Sequence, residues 1–160
     1  MKRILQTVFV LLLLCGCTNG KDRREDQEQQ ERLQTQIENQ SLTVSETVPF
    51  QYDFTITHEE TDNYTLTLRN FDVAMYDVKL LVMPLNGNGE VSSLGFDEQS
   101  YHVIPFQEAV DKGYYSSLSL TGSLSSLQDV LGIVIQWKDV SGVDTYQRYW
   151  EIDCSLYIDE

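Results

Sequence analysis

The chain has 160 residues, of which 25 are acidic and 11 basic, and its formal net charge is −14. This length suits a single domain, and an apolar fraction of 41% argues against disorder throughout. The acidic excess argues against nucleic acid as the main partner, because phosphate contacts need Lys and Arg. Three cysteines are too few for a disulfide scaffold.

Residues 1–16 have the pattern of a secretory signal peptide. Two basic residues, Lys2 and Arg3, precede a mostly apolar stretch over residues 4–14. This stretch is too short to cross a bilayer, because a spanning helix needs about 20 residues. A cationic start followed by a compact apolar region is typical of a signal that is removed from the mature protein.

The end of this signal, Leu14-Cys15-Gly16-Cys17, resembles the lipobox of bacterial lipoproteins. In that family an aliphatic residue and two small residues precede the cysteine that receives diacylglycerol. The resemblance implies cleavage between Gly16 and Cys17, and labelling of Cys17 with palmitate. It also implies a mature protein anchored in the cell membrane on its extracytoplasmic face. Cys15 departs mildly from the usual Ala or Ser. A secretory signal that is cleaved without lipidation is the alternative.

Residues 17–41 are predicted to carry the lipidated cysteine and a charged, Gln-rich tether. The large apolar residues of the run 21–40 are Leu33 and Ile37, four positions apart. A short helix is conceivable, because Arg24, Glu28 and Arg32 are spaced for ion pairs along a helix. Two apolar residues do not make a coiled-coil seam. We therefore expect a solvated spacer with some helicity that holds the domain off the lipid headgroups.

Residues 42–160 are predicted to form an all-β domain, because apolar and polar residues alternate from here onward. Residues 78–83 are apolar at nearly every position and indicate a central strand. Turn signals rich in Gly, Asn and Asp separate the segments. The segments expected to be strands lie around residues 52–56, 64–68, 78–83, 101–106, 116–120, 131–137 and 143–152. A capping-box pattern at residues 125–128 predicts one helical turn.

This pattern predicts an antiparallel sandwich of seven or eight strands, with a closed barrel as the alternative. Residues 66–70, residues 76–82 and the turn at Gly87 and Gly89 resemble the immunoglobulin-like sandwich domains of bacterial surface lipoproteins, including the FxLYD type. The Pro-Gly loop of those domains is absent. The resemblance implies an immunoglobulin-like fold and no particular ligand, because sandwiches host many functions.

Four aromatic residues are the candidates for a binding face. Tyr114 and Tyr115 begin one predicted segment, and Tyr149 and Trp150 lie on the last strand. Neighbouring residues of a strand point to opposite faces, so one residue of each pair should be partly exposed. Exposed aromatic rings stack on sugars or form hot spots for protein partners. The alternative is that all four are half-buried strand residues.

No catalytic residue, metal site or cofactor is expected. Cys154 lies at the end of a predicted strand, where cysteine usually acts as a small buried apolar residue. His58 and His102 belong to no metal-binding motif. Residues 139–144 have some oxygen ligands at a glycine turn, but a plain hairpin explains them better than a calcium loop.

The sequence therefore predicts a lipid-anchored, extracytoplasmic module of the cell envelope with a non-enzymatic binding or accessory role. Its partners would be the membrane, through the lipid anchor, and a protein or cell-envelope component. Two alternatives stay open: a module that binds carbohydrate or a small ligand, and a surface enzyme that uses unidentified carboxylates. Residues 42–160 hold 19 acidic and 5 basic residues, so the net charge belongs to the predicted domain.

Overall fold

The computed structural model describes residues 19–97 and 99–157, except for the side chains of residues 19–22. The predicted signal peptide, with Gly16 and Cys17, lies outside the described residues. The elements in chain order are α1 (Asn19–Glu38), β1 (Gln51–His58), β2 (Asp62–Arg69), β3 (Tyr76–Pro84), β4 (Ser92–Leu94), β5 (Ser117–Ser123), β6 (Val130–Lys138) and β7 (Thr145–Asp153). Short 3₁₀ turns lie at Val110–Lys112 and Cys154–Tyr157.

The strands form two antiparallel sheets, one of three strands in the order β1-β2-β5 and one of four strands in the order β4-β3-β6-β7. The prediction of an all-β sandwich is confirmed. The finer prediction of an immunoglobulin-like connection pattern stays a prediction. The main core lies between the sheets and combines side chains of both, such as Leu66 and Leu118 from one and Leu80 and Ile133 from the other.

The four-stranded sheet is covered on both faces, which explains why its central strands are so apolar. Along β6, Ile133 and Ile135 point into the sandwich, whereas Val134 points to the outer face. Alternation on β3 is similar, with Leu80 inside and Leu81 outside. An outer face that is buried needs apolar residues at positions where a half-exposed strand would carry polar ones.

The outer face is covered by α1. Leu33 and Ile37 are both fully buried there and pack with Leu81, Val134 and a tyrosine of β7. The sequence predicts a solvated spacer in this segment, and the structure instead makes its second half part of the fold. The two apolar residues are too few for a coiled coil, yet at i, i+4 they form one stripe, which is enough to dock a helix on a sheet.

Gly132 of β6 lets the helix come this close. A β-carbon at this position would lie 2.8 Å from side-chain carbons of both Ile37 and Leu85, well inside van der Waals contact. The absence of a side chain at residue 132 therefore leaves the space that the Ile37 side chain occupies on the sheet.

Two expected elements are replaced by irregular structure. Residues 101–106 form isolated bridges, such as Met75 with Val103, because Pro105 and a left-handed Phe106 interrupt strand pairing. Residues 125–128 form a turn in place of the expected helical turn. The carboxylate of the buried Asp129 accepts hydrogen bonds from the Ser125 hydroxyl and the Ser126 N–H, both at 2.9 Å.

Candidate functional site

A polar cleft of about 590 Å³ lies between the first half of α1 and the sheet. Its walls come from α1, from the start of β3, from the loop that follows β4 and from the end of β6. The charged residues that line it are Arg23, Glu25, Asp26, Asp77, Lys79, Asp97 and Lys138. Acidic and basic groups are therefore mixed, and the described part of the cleft has no single dominant charge.

Lys79 forms the floor of the polar cleft, and its side chain is buried on the outer face of β3. Its ammonium group donates to the carboxylate of Asp26 on α1, and to the carbonyl oxygen of Gly95 at 3.0 Å. The same ammonium lies 5.2 Å from the ring centroid of Phe96. A buried lysine needs such compensation, because desolvation of an unpaired charge is costly. The sequence carries a signal for this pair, a lone lysine inside the most apolar strand.

Lys138 and Asp77 form a second ion pair at the edge of the cleft, with 2.7 Å between Nζ and Oδ2. Both side chains are partly exposed. Asp77 has a left-handed backbone with φ of 50°, where the pairing of β3 with β6 shifts register. Its N–H donates to Nδ1 of His102 at 3.0 Å, so the neutral imidazole carries its proton on Nε2.

Two amide hydrogen bonds close the cleft where it meets the apolar half of the helix. Gln29 donates to the side-chain oxygen of Gln136 at 2.5 Å, and Gln30 donates to the Ser93 hydroxyl at 3.2 Å. Because Gln136 pairs with Lys79 across the sheet, these bonds lie directly beside the buried ion pair.

One end of the sandwich carries two turns with exposed apolar residues. Tyr76, Lys138 and Thr145 are register partners, so β3 begins, β6 ends and β7 begins at this end. We call it the loop end, and it includes the turn at residues 139–144 and residues 99–116 of the loop that connects β4 to β5. In the turn, Val140 and Val143 are each 80% exposed.

Phe106 is a fully exposed aromatic residue, with a relative accessibility of 106%. It sits in a tight turn after Pro105, which the Gln107 N–H closes by donating to the carbonyl oxygen of Ile104 at 3.0 Å. Its φ of 64° lies in the left-handed region. That conformation costs a residue other than glycine roughly 1–2 kcal/mol. The side chain is therefore placed in water at a position where glycine would be more stable.

The Phe106 turn belongs to the loop end because of the pairing that precedes it. The backbone carbonyl oxygen of Tyr101 accepts a hydrogen bond from the N–H of Val78 at 2.8 Å. The backbones of Val103 and Met75 each donate a hydrogen bond to the other. Residues 101–103 therefore run antiparallel to the start of β3, and Val103 lies beyond Tyr76, the first residue of that strand. Phe106 follows three residues later.

The four aromatic residues expected to form a binding face do not lie together. Trp150 is 5% exposed and belongs to the sandwich core, and its indole N–H has no partner among the described residues. Tyr149 is 4% exposed and lies on the outer face beneath α1. Its hydroxyl donates to Glu151 at 2.7 Å, and burial raises its pKa. The expectation that one of this pair is exposed is wrong, because both faces of β7 are covered at these two residues.

Tyr114 and Tyr115 are half-buried in the loop that connects β4 to β5. The ring of Tyr115 lies 5.1 Å from that of Tyr101, and the ring of Tyr114 lies 5.4 Å from that of His102. Both tyrosines thus pack against their own loop. They lie in the loop that also carries Phe106, the residue that sequence reasoning missed.

The other candidate residues have structural surroundings. Cys154 is buried, as predicted, and burial raises the pKa of its thiol to about 11. His58 contacts Asp62 at 2.7 Å beside the β1–β2 turn. Within residues 139–144, the Ser141 hydroxyl donates to Asp139 at 2.7 Å and lowers the pKa of that carboxyl. In the described ranges no three metal-ligating residues cluster.

No family model matches the chain, and no curated protein matches it. Among the helices of the described residues, none is long and apolar enough to cross a membrane.

Proposed function

We propose that the chain is an extracytoplasmic lipoprotein, anchored to the cell membrane by diacylglycerol on Cys17, and that its sandwich is a non-enzymatic binding module of the cell envelope. The lipobox resemblance supports the anchor. The position of α1 supports a module held close to the membrane, because the helix starts two residues after Cys17 and its second half is packed on the sheet.

The observation that carries the binding role is the conformation of Phe106. Folding gains nothing from an aromatic ring that contacts no other part of the domain, and the left-handed backbone makes it unfavourable. Strained, exposed residues are typical of positions kept for contact with a partner. The loop end is therefore the binding surface in this proposal.

The polar cleft supports the alternative function, a site for a small ligand. Its volume of about 590 Å³ falls in the range of ligand pockets. Lys79 and Lys138 each already hold a carboxylate, so an anionic ligand that binds either lysine would have to displace Asp26 or Asp77. Under this alternative Lys138→Gln would weaken ligand binding and Phe106→Gly would not, whereas under our proposal Phe106→Gly would weaken the contact at the loop end.

The anchor is tested in a bacterial host by labelling with palmitate and by membrane fractionation. We expect Cys17→Ala to abolish labelling and release the protein from membranes, with Cys15→Ala as the matched control that keeps both. Labelling of the Cys17→Ala variant would contradict the proposal.

The binding surface is tested by crosslinking on intact cells. Phe106→Gly should weaken capture of the component that contacts the domain, while the fold is kept, because glycine accepts the backbone conformation. Asn88→Ala, in the exposed turn after β3 at the other end of the sheet, is the control. Unchanged capture by the Phe106→Gly variant would contradict the binding role of the loop end.

A further inference from the structure

We propose that the loop end lies against the membrane that holds the anchor, with Phe106, Val140 and Val143 in contact with the bilayer lipid. The proposal rests on the proposed function, because it needs an acylated Cys17. The partner of the loop end would then be the bilayer itself.

The direction of α1 on the sheet brings the start of the helix toward the loop end. Asp26 pairs with Lys79 near the start of β3, whereas Ile37 reaches Gly132, whose register partner is Met83 near the end of β3. The helix therefore runs the same way as β3, and its first residue points toward the loop end.

The start of α1 lies at about the same level along the sheet as the start of β3. From Asp26 back to Asn19 the helix rises about 10 Å. From Lys79 back to Tyr76 the strand also rises about 10 Å. Since Asp26 and Lys79 are in contact, α1 and β3 begin at about the same level. Two further residues lead to Cys17 and span at most about 7 Å. An acyl chain on Cys17 would therefore enter the bilayer beside the loops.

The helix α1 is fixed to the sheet along most of its described length. Leu33 and Ile37 are buried against the sheet, and the hydrogen bonds of Gln29 and Gln30 continue the contact toward the loop end. The ion pair of Asp26 extends it further. A helix held at these points does not act as a free hinge, so the anchor and the loop end approach the same surface together.

The chemistry of the turns fits the interfacial region of a bilayer. Phe106, Val140 and Val143 present apolar side chains to the outside at the tips of two separate turns. Such side chains bind at the boundary of headgroups and acyl chains. Asp139 and Asp144 flank the valines, and the pKa of Asp139 is lowered by the Ser141 hydroxyl, so a negative charge stays beside them. This charge limits the contact to the surface and favours zwitterionic over anionic lipid.

The experiment uses the lipidated, full-length mature protein in vesicles of phosphatidylcholine with brominated acyl chains. A Phe106→Trp substitution supplies the reporter, and an Asn88→Trp substitution at the opposite end is the matched control. The native Trp137 and Trp150 are buried and give a constant background. We expect the bromines to remove about half or more of the emission that Phe106→Trp adds, as for a side chain at interfacial depth, and to leave the control unchanged. A Val143→Trp substitution repeats the test should Phe106→Trp impair folding.

The outcomes separate this inference from the proposed function. If the protein is acylated on Cys17 and bound to the vesicles, yet neither Phe106→Trp nor Val143→Trp is quenched, the loop end does not face the bilayer and the anchor stands. If both ends are quenched equally, the proposed orientation is wrong. If Cys17 carries no lipid, the proposed function itself fails. A photoreactive residue at position 106 that labels a protein in intact cells, and no lipid, would assign the loop end to a protein partner.

Discussion

The first half of α1 covers a polar cleft, whereas its second half covers an apolar surface of the same sheet. In the second half Leu33 and Ile37 lie directly on β-strand side chains. In the first half Asp26 forms an ion pair with Lys79 of β3 beside a cavity. A helix of this length gains most of its stability from packing. The apolar half therefore holds the helix on the sheet, and the polar half determines the direction in which the start of the helix points.

The largest effect is expected when the apolar half is weakened. Leu33→Ala should lower the free energy of unfolding by about 3 kcal/mol, because it leaves a cavity between helix and sheet. Chemical denaturation followed by fluorescence of the buried tryptophans measures it. Arg32→Ala, on the exposed side of the same turn, is the control and should change stability by less than about 0.5 kcal/mol. Equal effects of the two substitutions would contradict the packed position of α1.

A smaller loss is expected when the ion pair of the polar half is broken. Asp26→Asn should lower the free energy of unfolding by about 2 kcal/mol, because the buried Lys79 loses its counter-charge. The double variant Asp26→Leu with Lys79→Met should recover most of the loss, since no unpaired charge is left. Denaturation of the single and double variants forms a mutant cycle. Additive losses would show that the two side chains do not interact.

The next effect has the opposite sign and lies outside both halves. Phe106→Gly should raise the free energy of unfolding by about 1 kcal/mol, because glycine adopts the left-handed conformation without steric strain. The same substitution is expected to weaken contact at the loop end. Thermal unfolding measures the first effect, and a variant less stable than the parent would show that the Phe106 ring supports the fold.

The smallest effect is expected at the edge of the polar cleft. Lys138→Gln removes the pair with Asp77 and should change stability by less than about 1 kcal/mol, because both side chains are partly exposed. Salt should reduce the difference further, since it screens exposed charges. A loss as large as that of Asp26→Asn would erase the distinction between the two ion pairs.

The strands with clear alternation could be predicted from the sequence. Strand β2 buries Tyr64, Leu66 and Leu68, as their two-residue spacing indicates. The central position of β3 followed from its apolar run. The short β4 was not predicted, because its three residues carry no periodic signal.

The docking of α1 and the sites of the molecule could not be predicted in the same way. The close packing of Ile37 on the sheet depends on Gly132, which is about a hundred residues further along the chain. The alternation rule placed Tyr149 and Trp150 on opposite faces, and this is confirmed. The alternation rule does not predict that a helix covers the outer face of the four-stranded sheet. The strain at Phe106 is a property of backbone geometry and not of residue type.

Gly132 and the ion pair of Asp26 hold α1 on the sheet at two separate points. The missing side chain of Gly132 lets the end of the helix rest on β6, while the ion pair of Asp26 with Lys79 supports the helix nearer its start. An alanine at position 132 would force the side chains of Ile37 and Leu85 to shift, and so weaken the packing of the helix end on the sheet. One hydrogen atom in place of a methyl group thus contributes to the position of α1 on the sheet.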